Sequence, residues 1–116
     1  MLHVHGTADA VIQYDGDESE ADSKGSGKSA FYAGADDMVT RWSRRAGCEW
    51  PEDPQPYASL DLDQDVPGAE TRAFRLESGC AEGISIELWS SVGSSHSPDY
   101  GEAFVDALLD WLLSQE

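Results

Sequence analysis

Positive charge is what this sequence most conspicuously lacks. Seven Lys and Arg stand against 23 Asp and Glu in 116 residues, a formal net charge of −16. Beyond Arg75 no basic residue appears while eight acids do, and Glu49 to Glu70 carries seven acids and no base. Polyanions are gripped by Lys and Arg, so the composition excludes nucleic acid as a partner and, for the same reason, an anionic membrane surface. No apolar run approaches the roughly 20 residues of a membrane span, and Met1-Leu2-His3-Val4-His5 does not read as a signal peptide. Length is scarce too. A 40% hydrophobic content over 116 residues is enough for the core of one small domain. A complete α/β enzyme usually needs roughly 200–250 residues. There are two cysteines, Cys48 and Cys80, with no C-x-x-C spacing and no neighbouring His, which disfavours zinc and leaves two buried thiols as the plain alternative. No internal repeat is visible.

The acids that are present are clustered. Asp15, Asp17, Glu18, Glu20 and Asp22 lead into Lys24-Gly25-Ser26-Gly27-Lys28-Ser29, so residues 15–28 read as an acidic flexible insert. Residues 49–68 hold four of the five prolines and read as an irregular, Pro-rich acidic loop. Such runs form solvated faces, and an acidic, Lys-poor surface also suits a high-salt habitat.

Between these stretches the pattern is mixed α/β. Leu2–His5 alternates and ends at Gly6, as a short strand does. Val11–Tyr14 is a second brief apolar patch. A helix is expected from about Gly34 to Ala46, with Met38, Val39 and Trp42 as its buried stripe. Asp36 and Asp37 lie in its first turn, Arg44 and Arg45 in its last, and Gly47 stands ready to cap it. Glu70–Leu76 and Ile84–Trp89 alternate as strands of an antiparallel hairpin. A last helix runs from about Tyr100 to Leu113. Its apolar surface is wide enough to need cover on more than one side, with Glu102, Asp106 and Asp110 as the wet stripe. The order is strand, helix, strand, strand, helix.

Several constellations bear on chemistry. His3 and His5 share one face of a strand, a spacing used by zinc hydrolases, but no second His cluster follows and His96 is the only other histidine. Asp61-Leu62-Asp63-Gln64-Asp65 opens like a calcium loop, yet Val66 and Arg72 occupy the places that need Gly and Glu. Gly25–Ser29 ends like a phosphate loop, but Asp22 replaces its first Gly and no strand precedes it. The last arrangement is an acid and a base. Asp9 lies in the loop beyond one strand and His96 in the loop beyond another. In the α/β-hydrolase fold the triad runs Ser, then Asp or Glu, then His, so Asp9 before His96 is the last part of that order. A carboxylate of this kind fixes the imidazole tautomer, and the imidazole takes a proton from a Ser hydroxyl.

His5-Gly6-Thr7-Ala8-Asp9 followed by Val11-Ile12-Gln13-Tyr14 resembles the acid loop of the polyhydroxybutyrate depolymerase and feruloyl esterase family of α/β-hydrolases. Val39-x-x-Trp42 with Ala46-Gly47-Cys48 resembles its helix and cysteine. Gly79-Cys80, Gly83–Trp89 and Gly93-Ser94-Ser95-His96 resemble its final hairpin and histidine loop. The resemblance covers nearly the whole chain outside residues 15–28. It implies that residues 1–116 are the C-terminal portion of an α/β-hydrolase domain: strand, helix, β-hairpin and helix of an incomplete sheet. The first strand would then lack one of two parallel neighbours. It further implies Asp9 as triad acid, His96 as triad base, and a Cys48–Cys80 disulfide. The location would be secreted or periplasmic, with a signal peptide upstream. The substrate would be a polyester or an aromatic or acyl ester, with no metal or organic cofactor. The family's Gly-x-Ser-x-Gly elbow and oxyanion-hole glycines occur nowhere in the sequence. The nucleophilic Ser is therefore expected upstream in a missing N-terminal half, and the chain alone should be inactive. Ser94 and Ser95 stand where the family's loop is richer in glycine, which would narrow the approach to His96. The alternative is a non-catalytic acidic binding or interaction domain built on the same scaffold.

Overall fold

The computed structural model describes residues 1–17 and 32–115. The core is a four-stranded mixed sheet with a helix on each face. Its strands are β1 (Leu2–Gly6), β4 (Ala58–Leu60), β5 (Thr71–Leu76) and β6 (Ile86–Ser91), in the order β1-β6-β5-β4. β1 runs parallel to β6, and β5 is antiparallel to both β6 and β4. The helices are α1 (Ala35–Arg45) and α2 (Glu102–Leu113). A separate two-stranded ladder pairs β2 (Gly16–Asp17) with β3 (Tyr32–Ala33), so the chain leaves at Asp17 beside the point where it returns. Most of the acidic insert, including the phosphate-loop look-alike at Gly25–Ser29, lies outside the described residues.

All six residues of β6 are buried, because this central strand has a helix on either side. Ile86 and Leu88 join Phe74 of β5 and Ala35 and Val39 of α1 in one core cluster. Trp89 meets Ala73, Leu2, Val4 and the α2 residues Phe104, Ala107 and Trp111 in the other. The rings of Trp89 and Phe104 meet edge to face at 6.3 Å, and Tyr100 stacks on Phe104 at 4.3 Å. The second covered face also takes in a charge. Glu87 is buried, and it accepts hydrogen bonds from Trp89 Nε1 at 2.9 Å, Arg75 Nε at 3.1 Å and the Tyr57 hydroxyl. Three donors, one of them cationic, satisfy the carboxylate where water cannot.

Local signals place α1 well. The N–H of Cys48 reaches the Ser43 carbonyl at 2.9 Å and that of Gly47 reaches Arg44 at 3.1 Å, with Gly47 at φ +80°: a Schellman termination. At the other end the first helical N–H, of Ala35, is satisfied by the Tyr14 carbonyl at 2.7 Å, tying the helix to the segment after β1. The buried stripe differs from the expected one. Ala35, Val39 and Ser43 are covered, whereas Trp42 is 43% exposed with Arg45 beside its ring. Steps of four from Ala35 put the covered stripe one position beyond Trp42.

Other elements correct the sequence reading as well. The Pro-rich stretch is not wholly irregular: Ala58–Leu60 follows the last of its clustered prolines and pairs with β5 as an edge strand. The final strand is Ile86–Ser91 rather than 84–89. The Ile84 N–H turns back to Ala81 at 3.1 Å, and Ser90 and Ser91 continue the ladder against Arg72 and Thr71. Within the apolar patch at Val11–Tyr14, Val11 and Ile12 lie at the surface, 63% and 43% exposed. Of α2, one side packs on the sheet; Val105, Leu109, Leu112 and Leu113 stay about half exposed or more. Among the described residues no strand pairs with the outer edge of β1. Cys48 and Cys80 form a disulfide. No helix among the described residues is long and apolar enough to cross a membrane.

Candidate active site

Parallel pairing decides where the acid and the base lie. Because β1 and β6 run the same way, with Gly6 opposite Ser91, both strands end at one edge of the sheet, and the loops leaving them start side by side. That carboxyl edge is where α/β sheets place their ligands. Three hydrogen bonds then zip the two loops together. Thr7 N–H donates to Ser91 O at 2.9 Å, Ala8 N–H to Ser94 O at 3.0 Å, and Gly93 N–H to the Thr7 hydroxyl at 2.8 Å.

The close approach makes Gly6 necessary. A Cβ there would lie 2.3 Å from the Ser94 carbonyl oxygen and 2.9 Å from that of Ser95. Gly6→Ala therefore has to push the loops apart. We expect a loss of about 1–3 kcal/mol in urea unfolding, together with faster exchange of the Thr7 and Ala8 amides. A loss below about 0.5 kcal/mol with both amides still protected would show that this seam does not hold the loops.

Within the seam, Asp9 is set by its own loop. Its Oδ1 accepts the N–H groups of Val11 at 2.9 Å and Ile12 at 2.8 Å. Its Oδ2 faces His96 Nδ1 at 3.0 Å. The Asp9 side chain is 7% exposed and that of His96 is 48% exposed. Partial burial works against the Asp9 charge, but the His96 hydrogen bond and the Ile12 and Val11 N–H donors outweigh it and bring the carboxyl down to about 2. An ionised Asp9 can only accept, so the Nδ1 of neutral His96 carries the proton and Nε2 holds a free lone pair. Among the described residues nothing is hydrogen-bonded to that Nε2.

His3 and His5 lie beside this pair. His5 Nε2 is 2.7 Å from the Ile12 carbonyl oxygen, to which it donates, and 3.4 Å from Asp9 Oδ2. Its Nδ1 is then left to accept from His3 Nε2 at 3.3 Å. The Tyr14 ring meets His5 edge-on at 5.4 Å. Burial, with the adjacent His5 adding to it, lowers the pKa of His3. The pair thus braces the Asp9 turn. Among the described residues no three His, Cys, Asp or Glu side chains are placed to hold a metal ion. The sequence offered His5 as a metal candidate and as the start of the acid-loop motif, but not as a brace of the Asp9 turn, nor Thr7 as a seam residue. The Gly6-Thr7 dipeptide directly after the strand was the available signal.

Ser94 corrects a further expectation. It does not stand over His96: it is fully buried, and its hydroxyl donates to Asp63 Oδ2 at 2.6 Å. Ser95 Oγ accepts the Ser97 N–H at 3.2 Å within the turn that carries His96. The approach to Nε2 is therefore not narrowed by Ser94. A cleft of about 700 Å³ lies between α1 and the Pro-rich stretch. Tyr14, Trp50, Arg72 and Phe74 are among its walls, and neither Asp9 nor His96 lines it. Comparison of the chain with family models, with curated proteins and with solved structures finds no match.

Proposed function

We propose that this chain supplies the acid and the base of a carboxylic ester hydrolase of the polyhydroxybutyrate depolymerase and feruloyl esterase type. The nucleophilic Ser would come from sequence preceding β1, on whose outer edge no strand pairs among the described residues. One observation carries the reading: the Asp9–His96 hydrogen bond at 3.0 Å, made between loops that leave adjacent parallel strands, with Nε2 unpaired among the described residues. In that arrangement Nε2 takes the Ser proton as Oγ attacks the ester carbonyl, and Asp9 stabilises the imidazolium that forms. The proton then passes to the departing alcohol, leaving an acyl-enzyme. Water, deprotonated by the same Nε2, releases the acid. No metal or organic cofactor enters these steps. The Cys48–Cys80 disulfide supports a secreted or periplasmic setting.

The test is to complete the site. The chain alone should leave nitrophenyl esters essentially uncut. Fused behind the nucleophile-bearing half of a family esterase, it should cut them, and His96→Ala should lower that turnover by about 10⁴-fold or more. A folded, active fusion whose turnover ignores His96 would sink the esterase reading. The apolar stripe on α2, Val105, Leu109, Leu112 and Leu113, favours a second reading as an acidic interaction domain. A cooperative, monomeric melt of the chain alone together with an inert fusion would select it.

A further inference from the structure

Asp63 is a carboxylate buried to 1% exposure, in the segment between β4 and β5, and no described cation pairs with it. Burying such a group is costly unless donors surround it. Three do. Its Oδ1 accepts the N–H groups of Asp65 at 3.0 Å and Asp99 at 3.1 Å, and its Oδ2 accepts the Ser94 hydroxyl at 2.6 Å.

Two of these donors bracket the histidine: Ser94 lies two residues before His96 and Asp99 three after. The same stretch is pinned again where the Gln64 N–H donates to the Asp99 carbonyl at 2.9 Å and where Asp63 bridges to Tyr100. Asp63 is itself held from below. Glu70 Oε1 accepts its N–H at 2.8 Å, the Leu62 N–H at 3.1 Å and the Thr71 hydroxyl at 2.8 Å. The Thr71 hydroxyl continues to Ser91 Oγ at 3.0 Å, and Ser91 to the Tyr100 hydroxyl at 2.8 Å. His96, by contrast, has one side-chain hydrogen bond among the described residues, the one to Asp9. The ring sits on an arch whose two feet stand on a single carboxylate.

We infer that Asp63 is the positioning residue of the Asp9–His96 pair, holding the loop at Ser94 and Asp99 so that His96 Nδ1 meets Asp9 and Nε2 stays free. Although burial opposes its charge, the Ser94 hydroxyl and the Asp65 and Asp99 N–H groups lower the Asp63 pKa, so all of its acceptor positions persist near neutral pH. Its importance for catalysis rests on the esterase reading; its hold on the imidazole does not.

The test is ring nitrogen NMR of the intact chain at about pH 9, where a free imidazole is neutral and favours the Nε2–H tautomer. In the wild type the Asp9 bond should make Nδ1–H the majority form of His96. Asp63→Ala should invert that ratio. Asp63→Asn keeps an acceptor for the Asp65 and Asp99 N–H groups and should retain the wild-type majority. Phe74→Leu, destabilising in the core on the α1 face, should also retain it. A folded Asp63→Ala chain with Nδ1–H still dominant overturns the inference, as does Asp63→Asn losing it as fully as Ala. If Asp63→Ala does not fold, Ser94→Ala decides: a reduced Nδ1–H share supports the inference and an unchanged share overturns it. The two readings fail separately. A fusion insensitive to His96→Ala removes the esterase, while a tautomer indifferent to Asp63 removes the positioning.

Discussion

Exchange of Asp9 for Asn should lower the kcat of the proposed esterase fusion by about 10⁴-fold while leaving KM little changed. The amide keeps an oxygen for the Val11 and Ile12 N–H groups, so the loop holds its shape. What changes is the atom opposite His96. A carboxylate oxygen that accepts from Nδ1 is replaced by an NH₂ that donates to it, and the imidazole answers by moving its proton to Nε2. In that tautomer Nε2 cannot take a proton from Ser. The negative charge that supports the imidazolium is lost as well. A steady-state comparison of Asp9→Asn with wild-type fusion measures the effect; a drop of less than about tenfold would mean that Asp9 does not set the tautomer. The pH dependence has a definite sign. The carboxyl is depressed from 3.8 to about 2, so the stabilisation it brings is fully present above 3.8 and disappears as the pH falls through about 2. Throughout the neutral range Asp9 is ionised.

Removing the disulfide should have the largest effect on stability. Cys48 ends the α1 cap and Cys80 sits in the turn of the β5–β6 hairpin, a separation of 32 residues. Closing a loop of that length restricts the unfolded chain by about 3–4 kcal/mol on the chain-entropy estimate. Other ties are few: the Ala81 N–H donates to the Ala46 carbonyl at 2.8 Å at the same junction. The −16 charge adds self-repulsion that the rest of the fold must overcome. Cys48→Ser with Cys80→Ser, or reduction of the native bond, should lower Tm by about 10–20 °C in a calorimetric or circular-dichroism melt. A fall of under about 5 °C would show that packing alone holds the helix end to the hairpin.

The acidic surface and the candidate pair occupy different parts of the chain, and they were not equally legible. By itself the sequence determined the elements whose signals are local. Charges at the two ends of α1 and a glycine beyond it specify a helix because capping is settled within a few residues. Alternation around Phe74 and Leu88 specifies two strands because side chains point to opposite faces in turn. The order of Asp9 and His96, each after a strand, was also legible in the sequence. The tertiary structure decided what depends on neighbours distant in sequence. Glu87 alternates against Ile86 and Leu88, yet it is buried as they are, because α2 covers its face and Arg75, Tyr57 and Trp89 supply its donors. Ala58–Leu60 reads as loop and is a strand because β5 offers it an edge. Ser94 reads as an obstruction over His96 and is instead a tie to Asp63, a residue 31 positions away. Periodicity records which way a side chain points; only the packed chain supplies what it meets there.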